Sequence, residues 1–225
     1  MSFALTRSGE GVYRLRAESS PPRTAGRDYG ELASKVFILT LFSAMASAIA
    51  QDFARTGHVT GLLLLVSEAL VVALTLVRRS AAIVDRSWKA RILTMFATFG
   101  PPMVRPAGVA VAPESLTIVI SAIGLIIVVL GKLSLGRSFG LTPANRGVVS
   151  TGLYRVVRHP IYLGYLITHI GFVVANPADW NLAVLAAADI ALLMRAVCEE
   201  KTLAQDAQYR AYMGRVRWRI IPGVF

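Results

Sequence analysis

The chain has 225 residues, 55% of them hydrophobic and 16% charged, with a net charge of +11 and a mean hydropathy of +0.57. Soluble globular domains usually carry about 25% charged residues, so this composition excludes an ordinary soluble fold and places the chain in the membrane class. The basic residues fall between apolar segments, where membrane topology puts them, which argues against nucleic acid as a partner, and a single cysteine, Cys198, excludes an intramolecular disulfide.

Residues 1–30 scatter Arg7, Arg14, Arg16, Arg23 and Arg27 among Ser, Pro and Gly. They lack the apolar run of a signal peptide and are expected to form a flexible basic tail. Transmembrane helices are expected over 31–112, and a second, chemically distinctive region over 113–225. The apolar stretches are 36–50, 61–77 (interrupted by Glu68), 92–104 (broken by Gly100, Pro101 and Pro102), 116–131, 161–175 and 180–194. A bilayer core about 30 Å thick takes ~20 apolar residues per helix. The expected architecture is therefore an all-α, polytopic helical bundle of about six spans, or five if the third segment is re-entrant. The last two stretches are separated by Asn176-Pro177-Ala178-Asp179, a turn sequence, and are expected to form a helical hairpin. Loop charge alternates between basic and near-neutral along the chain, which puts both termini in the cytoplasm by the positive-inside rule.

Residues 136–160 leave the apolar pattern for GRSFGLTPANRGVVSTGLYRVVRHP, and IYLGY follows at the head of an apolar helix. Pro160 suits the first helical turn, so Arg158 and His159 should stand at a helix N-terminus, where exposed N–H groups and the guanidinium favour an anion. Arg158 as an anchor to lipid phosphate is the competing reading. Arg195 and Glu199 are four residues apart on one helical face, with Glu200 beside them, and should meet, either as a structural ion pair or around a ligand. Tyr154 and Tyr162 read either as site residues or as interfacial aromatics. Beyond them a polar helix with Leu203, Tyr209 and Tyr212 should lie at the interface, and the ending RVRWRIIPGVF should act as a membrane-surface anchor. Glu68, His169 and Asp189 sit inside apolar stretches and are assigned no role. Cys198 reads as a packing residue.

The run Gly152-Leu153-Tyr154, then Arg158-His159-Pro160-Ile161-Tyr162-Leu163-Gly164, then Arg195 with Glu199-Glu200, and the terminal R-x-I-P-G resemble the isoprenylcysteine carboxyl methyltransferases (ICMT) and their phospholipid methyltransferase relatives over roughly 132–223. The resemblance implies an integral membrane enzyme that binds S-adenosylmethionine in a cytoplasm-facing pocket, takes a lipophilic or prenylated acceptor from among the membrane lipids, and uses no metal. Carried over by position, Arg146, Gly147, Val148, Val149, Tyr154, His159, Pro160, Ile161, Tyr162 and Glu199 would bind the cofactor, and Arg158, Arg195 and Glu199 would be catalytic. Arg195 would also face the substrate. The loop 136–160 would hold the donor, 160–198 the hairpin, and 199–225 an interfacial helix. Eukaryotic members carry a Gln near Pro143 and Ala144 and a His in place of Arg146. No strand leads into a G-x-G-x-x-G turn, so no soluble dinucleotide domain competes.

The acceptor stays open among a prenylcysteine-like carboxylate, a phospholipid amine and a small thiol. A carboxylate needs only an orienting cation, whereas an amine must lose a proton to Glu199 or Glu200. Readings of other classes are an NADPH-dependent sterol-type reductase and a non-catalytic membrane protein; oligomeric state is not legible.

Overall fold

The computed structural model describes residues 4–7, 13–16, 29–56, 59–79, 81, 83–85, 87–105, 109–141 and 144–225. The chain divides into two units, Met1–Ser34 and Lys35–Phe225. In the first, β1 (Ala4–Arg7) and β2 (Tyr13–Arg16) pair antiparallel with Ala4 opposite Arg16. This short ladder replaces featureless chain in part of the basic segment; the remainder of the expected tail, through residue 28, lies outside the described residues.

Helix α1 runs from Tyr29 to Thr56. The second unit then holds α2 (Val59–Val77), β3 (Ile83–Val84), α3 (Trp88–Phe99), α4 (Glu114–Leu135), β4 (Ala144–Asn145), α5 (Pro160–Ala175), α6 (Asp179–Leu203) and α7 (Ala207–Arg215), with 3-10 turns at Pro101–Met103, Gly136–Ser138 and Gly152–Arg155. The described residues are thus overwhelmingly helical, as the apolar pattern requires.

Two segments, Glu114–Ser138 and Asp179–Leu203, are long and apolar enough to cross a bilayer, while the apolar parts of α1, α2 and α5 are shorter. The expected third crossing, 92–104, falls on α3, which has 12 residues and ends where Gly100-Pro101-Pro102 turns the chain into 3-10 geometry. Pro lacks the N–H that would continue the ladder. At 1.5 Å per residue α3 is roughly 18 Å long, short of the bilayer core. Ser87 starts α3 by accepting the Ala90 N–H at 3.2 Å.

Helices α4 and α5 approach closely through glycines. A Cβ on Gly164 would stand 2.6 Å from the Gly124 carbonyl oxygen, and one on Gly131 2.8 Å from Ile161 Cγ1. Small residues let apolar helices meet at backbone distance, where packing replaces the hydrophobic effect as the driving force. Helix α5 leans chiefly on α4, and α6 packs on α3, where a Cβ on Gly100 would lie 2.9 Å from Ala188 Cβ. The buried core joins Val71, Val128, Ile161, Leu192, Ala196 and Ile220. On its outer side α4 exposes Val119, Ile123, Ile126, Leu130 and Leu133, an apolar stripe suited to lipid.

The ionisable residues inside apolar stretches are paired. Lys132 Nζ, fully buried, donates to the Ser67 carbonyl at 2.9 Å and to Ser67 Oγ at 2.7 Å, and lies 3.8 Å from Glu68. His169 Nδ1 lies 2.6 Å from Asp189 Oδ1, linking α5 to α6. Each charge or dipole therefore has a partner where water is scarce.

Candidate functional site

Three stretches of polar chain meet at one end of α4, α5 and α6. The first is the link after α4. Gly152, with φ +58, turns against α4 so closely that a Cβ would sit 2.6 Å from Ser134 Oγ. Only glycine takes that backbone region without strain. The turn sends Tyr154 inward, where its carbonyl accepts a hydrogen bond from Tyr212 Oη at 2.8 Å. Tyr154, Tyr209, Tyr212 and Val216 form a small apolar cluster. Burial, ahead of the nearby carboxylates, pushes the Tyr154 and Tyr209 phenols above their ordinary range, and burial does the same for Tyr212, so all three are neutral donors.

Upstream, β4 pairs with β3, Ala144 opposite Val84. Asn145 then joins two segments: its amide donates to Asp206 Oδ2 at 2.8 Å, and its Oδ1 accepts the Gly147 N–H at 3.0 Å. Asp206 also caps α7 by accepting the Gln208 N–H at 2.8 Å. The Asn145 hydrogen bond, then the backbone one, hold this carboxyl below the ordinary aspartate value of 3.8. Ser138 Oγ donates to the Arg146 carbonyl at 3.1 Å, which orients the loop from Arg146 to Val149 over the end of α4.

The second stretch opens α5. Pro160 occupies its first turn, and the backbone N–H groups of Arg158 and His159 donate to Trp218 and Arg219 carbonyls at 3.0 and 2.8 Å. These bonds tie the start of α5 to the segment after α7. The segment after α7 folds back onto the site, Val157 and Trp218 form a parallel bridge, and Ile220 is completely buried. Val216 and Ile220 of this segment pack inward, while Arg217, Ile221 and Val224 stay exposed.

The third stretch is the end of α6. Arg195 and Glu199 share a face, and of the two readings open for them the structural ion pair does not form. Glu199 instead accepts the Tyr162 hydroxyl at 2.6 Å, while Arg195 donates to the Leu141 carbonyl and lies 5.5 Å over the Tyr162 ring. Tyr162 thus stands between them. Arg195 Nε is buried without a partner. Glu200 points elsewhere, to Arg158 at 3.1 Å, His159 at 3.3 Å and Arg219 at 2.9 Å. It is 3% exposed, so two guanidinium groups and an imidazole surround one buried carboxylate. Arg158 further donates to the Arg217 carbonyl at 3.0 Å, which makes it part of this internal hub. Its Nε is also buried without a partner.

Between these stretches lies a cleft of about 890 Å³, including its open mouth. Arg146, Gly147, Val148, Val149, Tyr154, Arg158, His159, Ile161, Tyr162, Arg195 and Glu199 all line it; Pro160 alone of the sequence-named residues does not. His159 stacks on Tyr162, ring centroids 5.1 Å apart at 8°. Phe139, Gly140, Leu141, Tyr165, Leu203, Tyr209 and Tyr212 also line the cleft and were not named as site residues from the sequence. Tyr165 was legible in principle, three residues after Tyr162 and so on the same helical face; Phe139 to Leu141 carried no such signal.

These features define a helical protein with bilayer-length apolar segments and a polar cleft built at its helix ends. Residues 115–205 match the isoprenylcysteine carboxyl methyltransferase (ICMT) family, a family of membrane methyltransferases, so the resemblance read from the motifs is upheld over that region. The matched region contains α5, most of α4 and nearly all the lining residues, but not Tyr209, Tyr212 or the C-terminal segment. No curated protein matches the chain significantly.

Proposed function

We propose that the protein is an integral membrane, S-adenosylmethionine-dependent methyltransferase of a lipophilic acceptor, most like a protein-S-isoprenylcysteine carboxyl O-methyltransferase. The observation that carries this reading is the convergence of the loop 146–149, the start of α5 and the end of α6 on one cleft. The donor set fits the cofactor. Buried Arg158 Nε and the Arg146 side chain suit a carboxylate, Glu199 suits an ammonium or sulfonium, and Val148, Val149 and the tyrosine cluster suit an aromatic base. When bound, S-adenosylmethionine supplies an electrophilic methyl group.

The chain's own contribution is positioning and exclusion of water. The Tyr162 hydroxyl fixes Glu199 at 2.6 Å, and the Tyr162 ring supports Arg195. Arg195, which lines the cleft, would supply the cation that orients an acceptor carboxylate. Glu200 is committed to Arg158, His159 and Arg219 and is unsuited to serve as a general base. An amine acceptor would have Glu199 alone, already occupied by Tyr162, which favours a carboxylate that needs no deprotonation.

In the same reading both termini and the cleft face the cytoplasm, and α5 and α6 cross as a hairpin. The divisions at 136–160 and 160–198 keep their roles as donor loop and bilayer-facing wall, with 199–225 closing the cleft. Calorimetric titration of the detergent-solubilised protein with S-adenosylmethionine tests the proposal. One saturable site is expected; no heat of binding at millimolar donor would overturn it.

A further inference from the structure

A second pocket, of about 720 Å³ including its open mouth, lies between the start of α3 and the last turns of α6. Val84, Asp85, Lys89, Cys198, Lys201 and Gln205 line it, and none of them lines the cleft. Helix packing explains where it opens. Gly100, at the end of α3, meets Ala188 of α6, and the two helices run antiparallel from there, so Lys89 in the first turn of α3 comes level with Lys201 near the end of α6. Neither lysine has a hydrogen bond or an ion pair among the described residues. Asp85, the acidic residue of the lining, accepts the Ser87 N–H at 2.9 Å. Two ammonium groups against one carboxylate leave the lining with an excess of positive charge, and Arg91, whose guanidinium lies 5.8 Å over the Trp88 ring, adds a cation at the same end of α3.

Each lysine heads an apolar row. By helical spacing Lys89, Ile92 and Phe96 share one face of α3, and Lys201, Cys198, Met194 and Ile190 share one face of α6. Ile92, Phe96, Met194 and Ile190 are all exposed. Trp88, 75% exposed beside Lys89, marks the level at which α3 leaves the hydrocarbon, because indole rings favour the membrane interface. A cationic pocket at that level, with an apolar row running away from it on each helix, matches an amphiphile in both charge and shape: an anionic head between the lysines and two chains along the rows. A free phosphate would use the lysines and leave the rows uncovered.

We propose that this pocket binds an anionic glycerophospholipid, its phosphate held between Lys89 and Lys201 and its acyl chains lying on Ile92 with Phe96 and on Met194 with Ile190. The site is separate from the cleft and does not depend on the methyl transfer proposed there. The two adjoin on shared elements: Val84 pairs with Ala144, two residues before Arg146, and Cys198 and Thr202 alternate with Glu199 and Leu203 along α6. A lipid seated in the pocket ties α3 to the end of α6 that carries Glu199.

Cys198, the single cysteine of the chain, lines the pocket and reports its occupancy. The test is the rate of its alkylation by N-ethylmaleimide, measured on the purified full-length protein in detergent micelles carrying dioleoylphosphatidylglycerol or dioleoylphosphatidylcholine. Phosphatidylglycerol should slow the reaction saturably, and phosphatidylcholine should not. Lys89→Gln and Lys201→Gln should each raise the half-protecting fraction of phosphatidylglycerol about fivefold, the share of one lysine beside an anionic headgroup, while Lys201→Arg should keep it. Arg215→Gln, which removes an exposed charge from α7, should leave it unchanged. Equal protection by both lipids, full protection in both glutamine variants, or loss of protection in Lys201→Arg would each overturn the proposal. An equal loss in Arg215→Gln would reduce the effect to diffuse surface charge, and a Cys198 that does not react in phosphatidylcholine micelles would mean a closed pocket; either result overturns it. Protection by millimolar inorganic phosphate alone would make this a free-anion site and overturn the lipid assignment.

Discussion

Glu199 and Glu200 are neighbours with opposite situations, because adjacent residues on an α-helix point about 100° apart. Glu199 meets one hydroxyl and the cleft; Glu200 is buried under two arginines and a histidine. Glu199→Gln should weaken S-adenosylmethionine binding about tenfold in calorimetry and leave the thermal midpoint within a degree or two, since an amide still accepts the Tyr162 bond. Glu200→Gln should instead lower stability by about 3 kcal/mol, read as a fall in unfolding midpoint, because removing one partner leaves buried cations uncompensated. From the sequence either could serve an amine acceptor as base, since the partners that separate them lie 19 or more positions away.

Asp206 carries the pH dependence at this scale. Its folded value lies below 3.8, so its bonds to Asn145 and Gln208 contribute stability that is present above the unfolded value and lost as pH falls through the folded one. Asp206→Asn should therefore lower the thermal midpoint at pH 7 and have a much smaller effect below pH ~3, measured by scanning fluorimetry at both values.

At the scale of elements, the apolar stretches at 36–50, 61–77, 116–131, 161–175 and 180–194 all appear as helices, extended by a few residues at their ends. Hydrophobic runs and helix-breaking residues are local properties, so they are visible in one dimension. What was not visible is which helices touch. Gly124 and Gly164 lie in separate apolar stretches, but together they set the α4–α5 approach. Gly164→Leu should cost about 1–3 kcal/mol through overpacking and should reduce donor binding, because α5 also carries His159 and Tyr162. The C-terminal segment shows the same limit. Ile220→Ala should cost about 3 kcal/mol by opening a cavity at a wholly buried position, whereas a residue in a surface anchor would tolerate the change.

For the molecule as a whole, the proposed topology has a direct check. In a Cys198→Ala background, a cysteine placed at Ala178 should react with an impermeant maleimide from outside intact cells, while one placed at Arg215 should react only after permeabilisation. Equal access at both positions would put the α5–α6 turn and the C-terminus on one side and would remove the hairpin crossing.

Composition alone determined the membrane class and the helical fold, because a bilayer admits few backbones and an apolar run long enough to cross it declares itself. The spacing of Arg158-His159-Pro160, Tyr162, Arg195 and Glu199-Glu200 determined that these residues would stand at helix ends, since helical periodicity and a proline at a helix start are local rules. Tertiary structure alone decided the pairings: Tyr162 with Glu199 in place of Arg195 with Glu199, Glu200 as the hub, the C-terminus folded inward, and Tyr165 held between Lys132 and His169. Those contacts join residues far apart along the chain, and buried groups choose partners by geometry and desolvation, which no local pattern records.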